Sequence, residues 1–301
     1  MSSGVGLQQD LTVSTPAQPE RATRPARRTS GGRRPWTLIV GLVVVLGFCC
    51  LAIGAALLAP YPPDQQNMSN VLRGPSLAHP FGTDEFGRDS LSRILYGARL
   101  TLLASSIAVL LAAIVGCAVG LCAGYLGGPL DAITGRFIDV LFAIPVILLG
   151  IAIVAVLGPG ELSIVVAIAL ASLPNFARVS RGAIIPEKER EYVLAAHVVG
   201  AGTPYIILRT LLPNLIGPLM VLVSLGFAYA VLYEASLSFL GLGARPPTPE
   251  WGVMLSTARD FLFQSPWYAF FPGASIFLLV FSLNLIGDGL SELIDPRRRH
   301  R

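Results

Sequence analysis

Charge is scarce in this 301-residue chain: Asp, Glu, Lys and Arg make up 13% of it, against about 25% in soluble domains. Hydrophobic residues make up 53% and mean hydropathy is +0.66. So few charges cannot cover the surface of a soluble protein of this size, so the membrane is the natural solvent. Lysine is nearly missing. Lys188 is the only one and follows Pro186-Glu187, whereas a Walker A loop needs Gly-Lys before Ser or Thr. The chain therefore has no P-loop. His79, His197 and His300 lie far apart and form no HExxH motif, and no serine stands in a Gly-x-Ser-x-Gly elbow. Cys49, Cys50, Cys117 and Cys122 all sit in apolar runs without metal-ligand spacing, which argues against a disulfide scaffold or a metal site.

What is present is a series of uncharged runs. A helix needs about 20 apolar residues to cross the hydrocarbon core. Runs at 37–59, 100–130, 140–160, 162–177, 210–233 and 261–287 give six spans, the fourth short and interrupted by Pro174 and Asn175. The sequence predicts an all-α, polytopic membrane bundle. A leader at 1–35, rich in Ser, Thr, Pro, Gly and Arg, has the composition of a disordered segment. The first span follows it, too long for a signal-peptide core.

The net charge is +4, with the basic residues concentrated in the leader, in the connection holding Arg178, Arg181, Lys188, Arg190 and Arg209, and at the C-terminus. That is the positive-inside pattern, and it puts both termini and the connection in the cytoplasm. It speaks for topology and not for nucleic acid. Two segments fall outside, at 60–99 and 236–265. In the first, Asp64, Asp84, Glu85 and Asp89 can pair with Arg73, Arg88, Arg93 and Arg99. Gly116, Gly120 and Gly124 recur every four residues, a spacing that lets helix backbones approach closely.

No charge stands mid-span; Asp139, Glu234 and Asp288 lie at span ends. Ion-coupled carriers place acidic or histidine residues inside the bundle. Transport by this chain would therefore draw its energy from a partner. The inlet is the longest cytoplasmic connection. Residues 187–199 favour a helix with acidic residues in its first turn, and Gly200 stops it. Gly202-Thr203-Pro204 makes a turn, and a second apolar helix leads to Pro213.

This connection resembles the EAA loop in permease subunits of bacterial binding-protein-dependent ABC transporters. Ala195, Ala196, Gly200, Leu212, Pro213 and Asn214 match that pattern, while Leu194 replaces its glutamate and His197 its basic residue. Three more stretches are similar to the dipeptide/oligopeptide branch, C-type subunit: 79–99, 234–252 and 284–297. The resemblance implies a type I importer permease fold with a transmembrane domain at 99–292. Before it come a first helix and outer loop at 36–98, and after it a basic tail at 293–301.

The resemblance further implies a coupling loop built on Tyr192, Ala195, Ala196, His197, Gly200 and Pro213. Gly82, Asp84, Gly87, Arg88, Asp89, Pro247 and Trp251 become outer-loop motif residues that fix turns and intraloop ion pairs. Glu234 and Asn284 are polar residues for the pathway or for helix packing. The implied partners are a homologous B-type permease, two ATPase subunits that bind ATP and Mg, an extracytoplasmic peptide-binding protein, the lipid membrane and a peptide substrate. The chain itself would bind no cofactor. Two other substrates, glutathione and nickel complexes, belong to the same branch, and a stand-alone carrier or channel is the reading from another class.

Overall fold

The computed structural model describes residues 36–294; the expected leader and the tail beyond 294 lie outside them. Among the described residues there is no strand, only an isolated bridge between Thr83 and Asp89. The helices are α1 (Trp36–Ile53), α2 (Ser90–Leu126), α3 (Gly128–Ala143), α4 (Val146–Leu157), α5 (Glu161–Glu187), α6 (Glu191–Val198), α7 (Leu212–Phe239), α8 (Trp251–Ala258) and α9 (Pro266–Ile294). Five helical stretches are long and apolar enough to span a membrane, or six if the bent pair α3 and α4 counts as one span. The count of six holds only with that pair.

The third expected span is not a straight rod at 140–160. Pro145 has no N–H, and a proline pushes the residue before it out of the helical region. Ile144 is accordingly extended (φ −91°, ψ 121°), and the two halves meet at 92°. The fourth span differs in the opposite sense. Pro174 and Pro186 both lie inside α5, a continuous 27-residue helix. Membrane helices tolerate proline where neighbours cover the freed carbonyl, and Pro174 is buried.

The tightest packing joins α2 to α5 along the glycine stripe. A Cβ on Gly120 would stand 2.2 Å from the Ala177 carbonyl oxygen, one on Gly116 2.7 Å from Phe176 Cβ, and one on Gly124 2.6 Å from Ile184 Cγ2. Three buried layers follow along the bundle. Trp251, Met254, Ile94 and Leu279 form one end, Ala108, Ile168, Phe176 and Leu237 the middle. Ile184, Val193, Ile206 and Leu211 form the other end. Outward faces stay apolar, as at Val43, Ile114 and Phe277, which suits lipid contact.

Around the middle connection the elements differ from expectation. α5 runs on to Glu187, and the helix expected at 187–199 is the shorter α6. Pro213 does not end a helix; it stands in the first turn of α7, inside a helical stretch that runs without a break over Thr203–Phe239. Wide-turn helix at Ile206–Leu211 leads into it. α7 also continues past Tyr233, so Glu234 lies inside the span and not at its end.

Candidate functional site

Two built regions stand at opposite ends of the bundle. The first is a cap made by residues 59–89 and 240–265. Its centre is Asp84, fully buried, which accepts from the Phe86 N–H (2.9 Å), the Arg88 N–H (2.9 Å) and Arg88 Nε (2.6 Å). Arg93 Nε approaches the same carboxylate at 3.5 Å. Arg93 also donates to the Pro63 and Pro247 carbonyls, both at 3.2 Å, tying the two cap segments together. Asp89 caps α2 by accepting from Ser92 N–H and Oγ, each at 2.8 Å, and sits 2.9 Å from His79 Nδ1. Among the described residues it pairs with no arginine.

Gly87 has φ +70°, and a Cβ there would fall 1.8 Å from the Asn67 carbonyl oxygen. Gly82 (φ +73°) stands against Arg73 and Trp267 in the same way. Trp251 is buried, donates to the Ile94 carbonyl at 3.0 Å and meets the Phe48 ring edge-on at 5.7 Å. The structure thus gathers Gly82, Asp84, Gly87, Arg88, Asp89, Pro247 and Trp251 into one interlocked unit, in which Asp84 and Arg88 bond each other while Asp89, Pro247 and Trp251 bond His79, Ser92, Arg93 and Ile94.

Glu234 accepts from Thr101 Oγ1 at 3.2 Å and meets the carboxyl of Glu250. Two facing carboxyls can bond only if one holds a proton. Burial pushes the Glu250 carboxyl above the usual range, which favours one proton shared by the pair. Glu250, sixteen residues further along the chain, is the partner that sequence reasoning missed. Asn284 donates to the Val280 carbonyl of its own helix at 2.9 Å, and with Glu234 it stays out of the mid-depth cleft described below.

The second region is α6 and its flanks. Val193 is fully buried in the end layer beside Ile184 and Leu211 and seats the helix on the bundle. Tyr192 donates to Glu187 at 2.8 Å, and burial followed by this carboxylate raises the phenol above its ordinary range. His197 Nε2 lies 3.0 Å from Tyr125 Oη. Lys188 donates to the Gly124 carbonyl at 2.8 Å and the Tyr125 carbonyl at 3.3 Å, placing a cation on the C-terminus of α2. Sequence reasoning missed Tyr125 and this use of Lys188, because both partners lie more than 60 residues away.

Gly200 closes α6 in the left-handed region (φ +82°), with its N–H on the His197 carbonyl and the Ala201 N–H on the Ala196 carbonyl. Nothing stands within 4 Å of where its Cβ would be, so backbone conformation, and not space, demands glycine. Leu194 (55% exposed), Val198 (87%) and Val199 (82%) face outward with Ala195. A short helix seated by one side and bare and apolar on the other has the form that helices docking into a partner's groove take.

The family model for the inner membrane component of binding-protein-dependent transport systems matches residues 116–300, which include this docking element. The chain belongs to that family. This permease is 46% identical over 261 residues to the dipeptide transport system permease protein DppC of Alkalihalophilus pseudofirmus, covering 87% of this chain and 86% of that one. It is 42% identical over 266 residues to the di/tripeptide transport system permease protein DppC of Pseudomonas aeruginosa (86% and 88%). Against the glutathione transport system permease protein GsiD of Pectobacterium atrosepticum it is 41% identical over 289 residues (92% and 96%). As a permease of this family it is a multi-pass inner membrane protein and associates with other subunits of an ABC transporter.

Proposed function

We propose that this chain is one of two homologous transmembrane subunits of an ATP-driven importer of di- and tripeptides in a bacterial cytoplasmic membrane. The seating of α6 carries the reading: Val193 is locked into the bundle while Leu194, Val198 and Val199 lie bare. A partner that grips this face moves the end of the bundle with it. Relatives named for dipeptide and di/tripeptide transport support the substrate.

In this reading α6 faces the cytoplasm with both termini, as the arginine bias favours. Two partner ATPase subunits hold ATP and Mg, hydrolyse the nucleotide and push on α6, while this chain binds no cofactor. The cap faces outward to receive a peptide-binding protein, and a B-type permease supplies the other half of the path. Leu194, in the place of the family's glutamate, makes the grip on the ATPase apolar. The gate works by rigid-body switching between two packed states.

Replacing Gly200 by Val tests this. A β-branched residue resists φ +82°, so the end of α6 shifts while the buried layers stay intact. Uptake of labelled dialanine is expected to be lost, with the complex still assembled in the membrane; normal uptake would overturn the coupling role of α6. Glutathione, itself a tripeptide, is the second substrate reading. A relative named for glutathione transport supports it, and competition of unlabelled glutathione against dialanine uptake decides between them.

A further inference from the structure

One region remains unused by either end. Where α3 breaks from α4, a cleft of about 410 Å³ opens against α5 and α7, within the range of small-molecule sites. Its walls come from 171–176, the middle of α5, and from 226–233, the middle of α7, so it lies near mid-depth of the bundle. Non-helical backbone at that depth survives only where protein buries it or water reaches it. Here it is not buried by this chain: Phe142 and Ile144 are 45% and 38% exposed.

The polar groups of the cleft have no partners among the described residues. Helix α4 starts without a side-chain cap, its first bond to the bend being Leu149 N–H to the Pro145 carbonyl. The N–H groups of Val146, Ile147 and Leu148 are therefore unspent, at the positive end of a 12-residue helix. Ser172 lines the cleft, is 9% exposed, and makes no hydrogen bond. Asn175 is exposed in the middle of an apolar span and also unbonded, and Tyr229 and Tyr233 stack at 6.4 Å with free hydroxyls. No charged side chain lines the cleft. Arg178 and Asp139, each three residues along the chain from a lining residue (Asn175 and Phe142), neutralise each other at 2.9 Å with Arg178 lying over Phe142.

The geometry points to a transit site for short peptides at this break, a deepening that rests on the importer reading above. The peptide's terminal carboxylate sits on the free N–H groups of α4 and on Ser172. Asn175 meets a backbone amide as donor and acceptor together, and the tyrosine hydroxyls take the remaining carbonyls. None of these contacts reads a side chain, so the site accepts peptides of any sequence. With no net charge it holds them loosely enough to release them, as a pathway requires.

The test uses the importer assembled with its partners in proteoliposomes, with the four native cysteines replaced by alanine and Ala171→Cys as a reporter on the cleft wall. Trialanine is expected to slow maleimide labelling of the reporter about fivefold, the worth of one or two hydrogen bonds. Trialanine amide, lacking the carboxylate, should protect far less. Adding Asn175→Ala should abolish protection and slow uptake. Equal protection by acid and amide overturns the carboxylate assignment. No protection while uptake persists overturns the site alone. A reporter reachable only in the isolated chain shows the cleft covered by the partner permease and also overturns it. If the unmodified importer takes up no peptide, the importer reading falls and the site with it.

Discussion

The cap and the docking element are both short, irregular stretches at helix ends, yet they are built on opposite plans. In the cap, buried charges are matched within the chain, Arg88 and Arg93 on Asp84, and Arg93 crosses to Pro247. At the other end α6 is held by one buried valine and a few half-exposed hydrogen bonds, and its apolar face is left bare. A region that completes its own contacts is a fixed part; one that leaves contacts open is waiting for a partner. Stability and transport should therefore respond to mutation in opposite order.

Asp84→Ala should have the largest effect on folding. It removes the buried carboxylate that Arg88 and Arg93 share and leaves them only Glu85 at 3.1 Å and the exposed Asp64 at 3.6 Å, a loss of about 3 kcal/mol, visible as a large drop in thermal unfolding temperature of the purified complex. Asp89→Ala removes the cap of α2 and should cost about 1–2 kcal/mol by the same measurement, with uptake per folded complex kept. Gly200→Val should cost a similar 1–2 kcal/mol for the left-handed strain and yet lose uptake. Leu194→Glu, on the exposed face, should move stability by no more than about 0.5 kcal/mol while uptake and co-purification of the ATPase subunits fall. If Leu194→Glu transports normally, or Asp84→Ala unfolds no more easily than Leu194→Glu, the contrast between the two ends collapses.

Hydropathy made the spans legible because it reports composition, and the apolar runs are long and separated by charge. It could not report direction. Pro145 and Pro174 both stand in uncharged stretches, and nothing local tells that one breaks the chain by 92° and the other is carried inside a continuous helix. What decides is packing: Pro174 is buried in α5, which the glycine stripe draws against α2, while α4 meets α5 and α7 only after the bend. The ion pairs of the cap were readable from charges close in sequence. The contact of Glu234 with Glu250, the hold of Lys188 on Gly124 and the cleft at the helix break join residues remote in sequence, so no pattern along the chain announces them. The expected boundaries at 187–199 failed for a related reason, since α5 continues to Glu187 while Ile184 still has a layer to fill, and α6 starts afresh at Glu191.

Lys188, which holds the last carbonyls of α2 and sits at the joint between α5 and α6, is also the only lysine in the sequence. Amine-directed chemistry therefore has a single side-chain address in this subunit, placed where motion is expected to pass between ATPase and gate. An ammonium engaged with two carbonyls reacts slowly, and a released one reacts fast. The acylation rate at that one position, followed by mass spectrometry through the nucleotide cycle, becomes a clock for how often the joint opens.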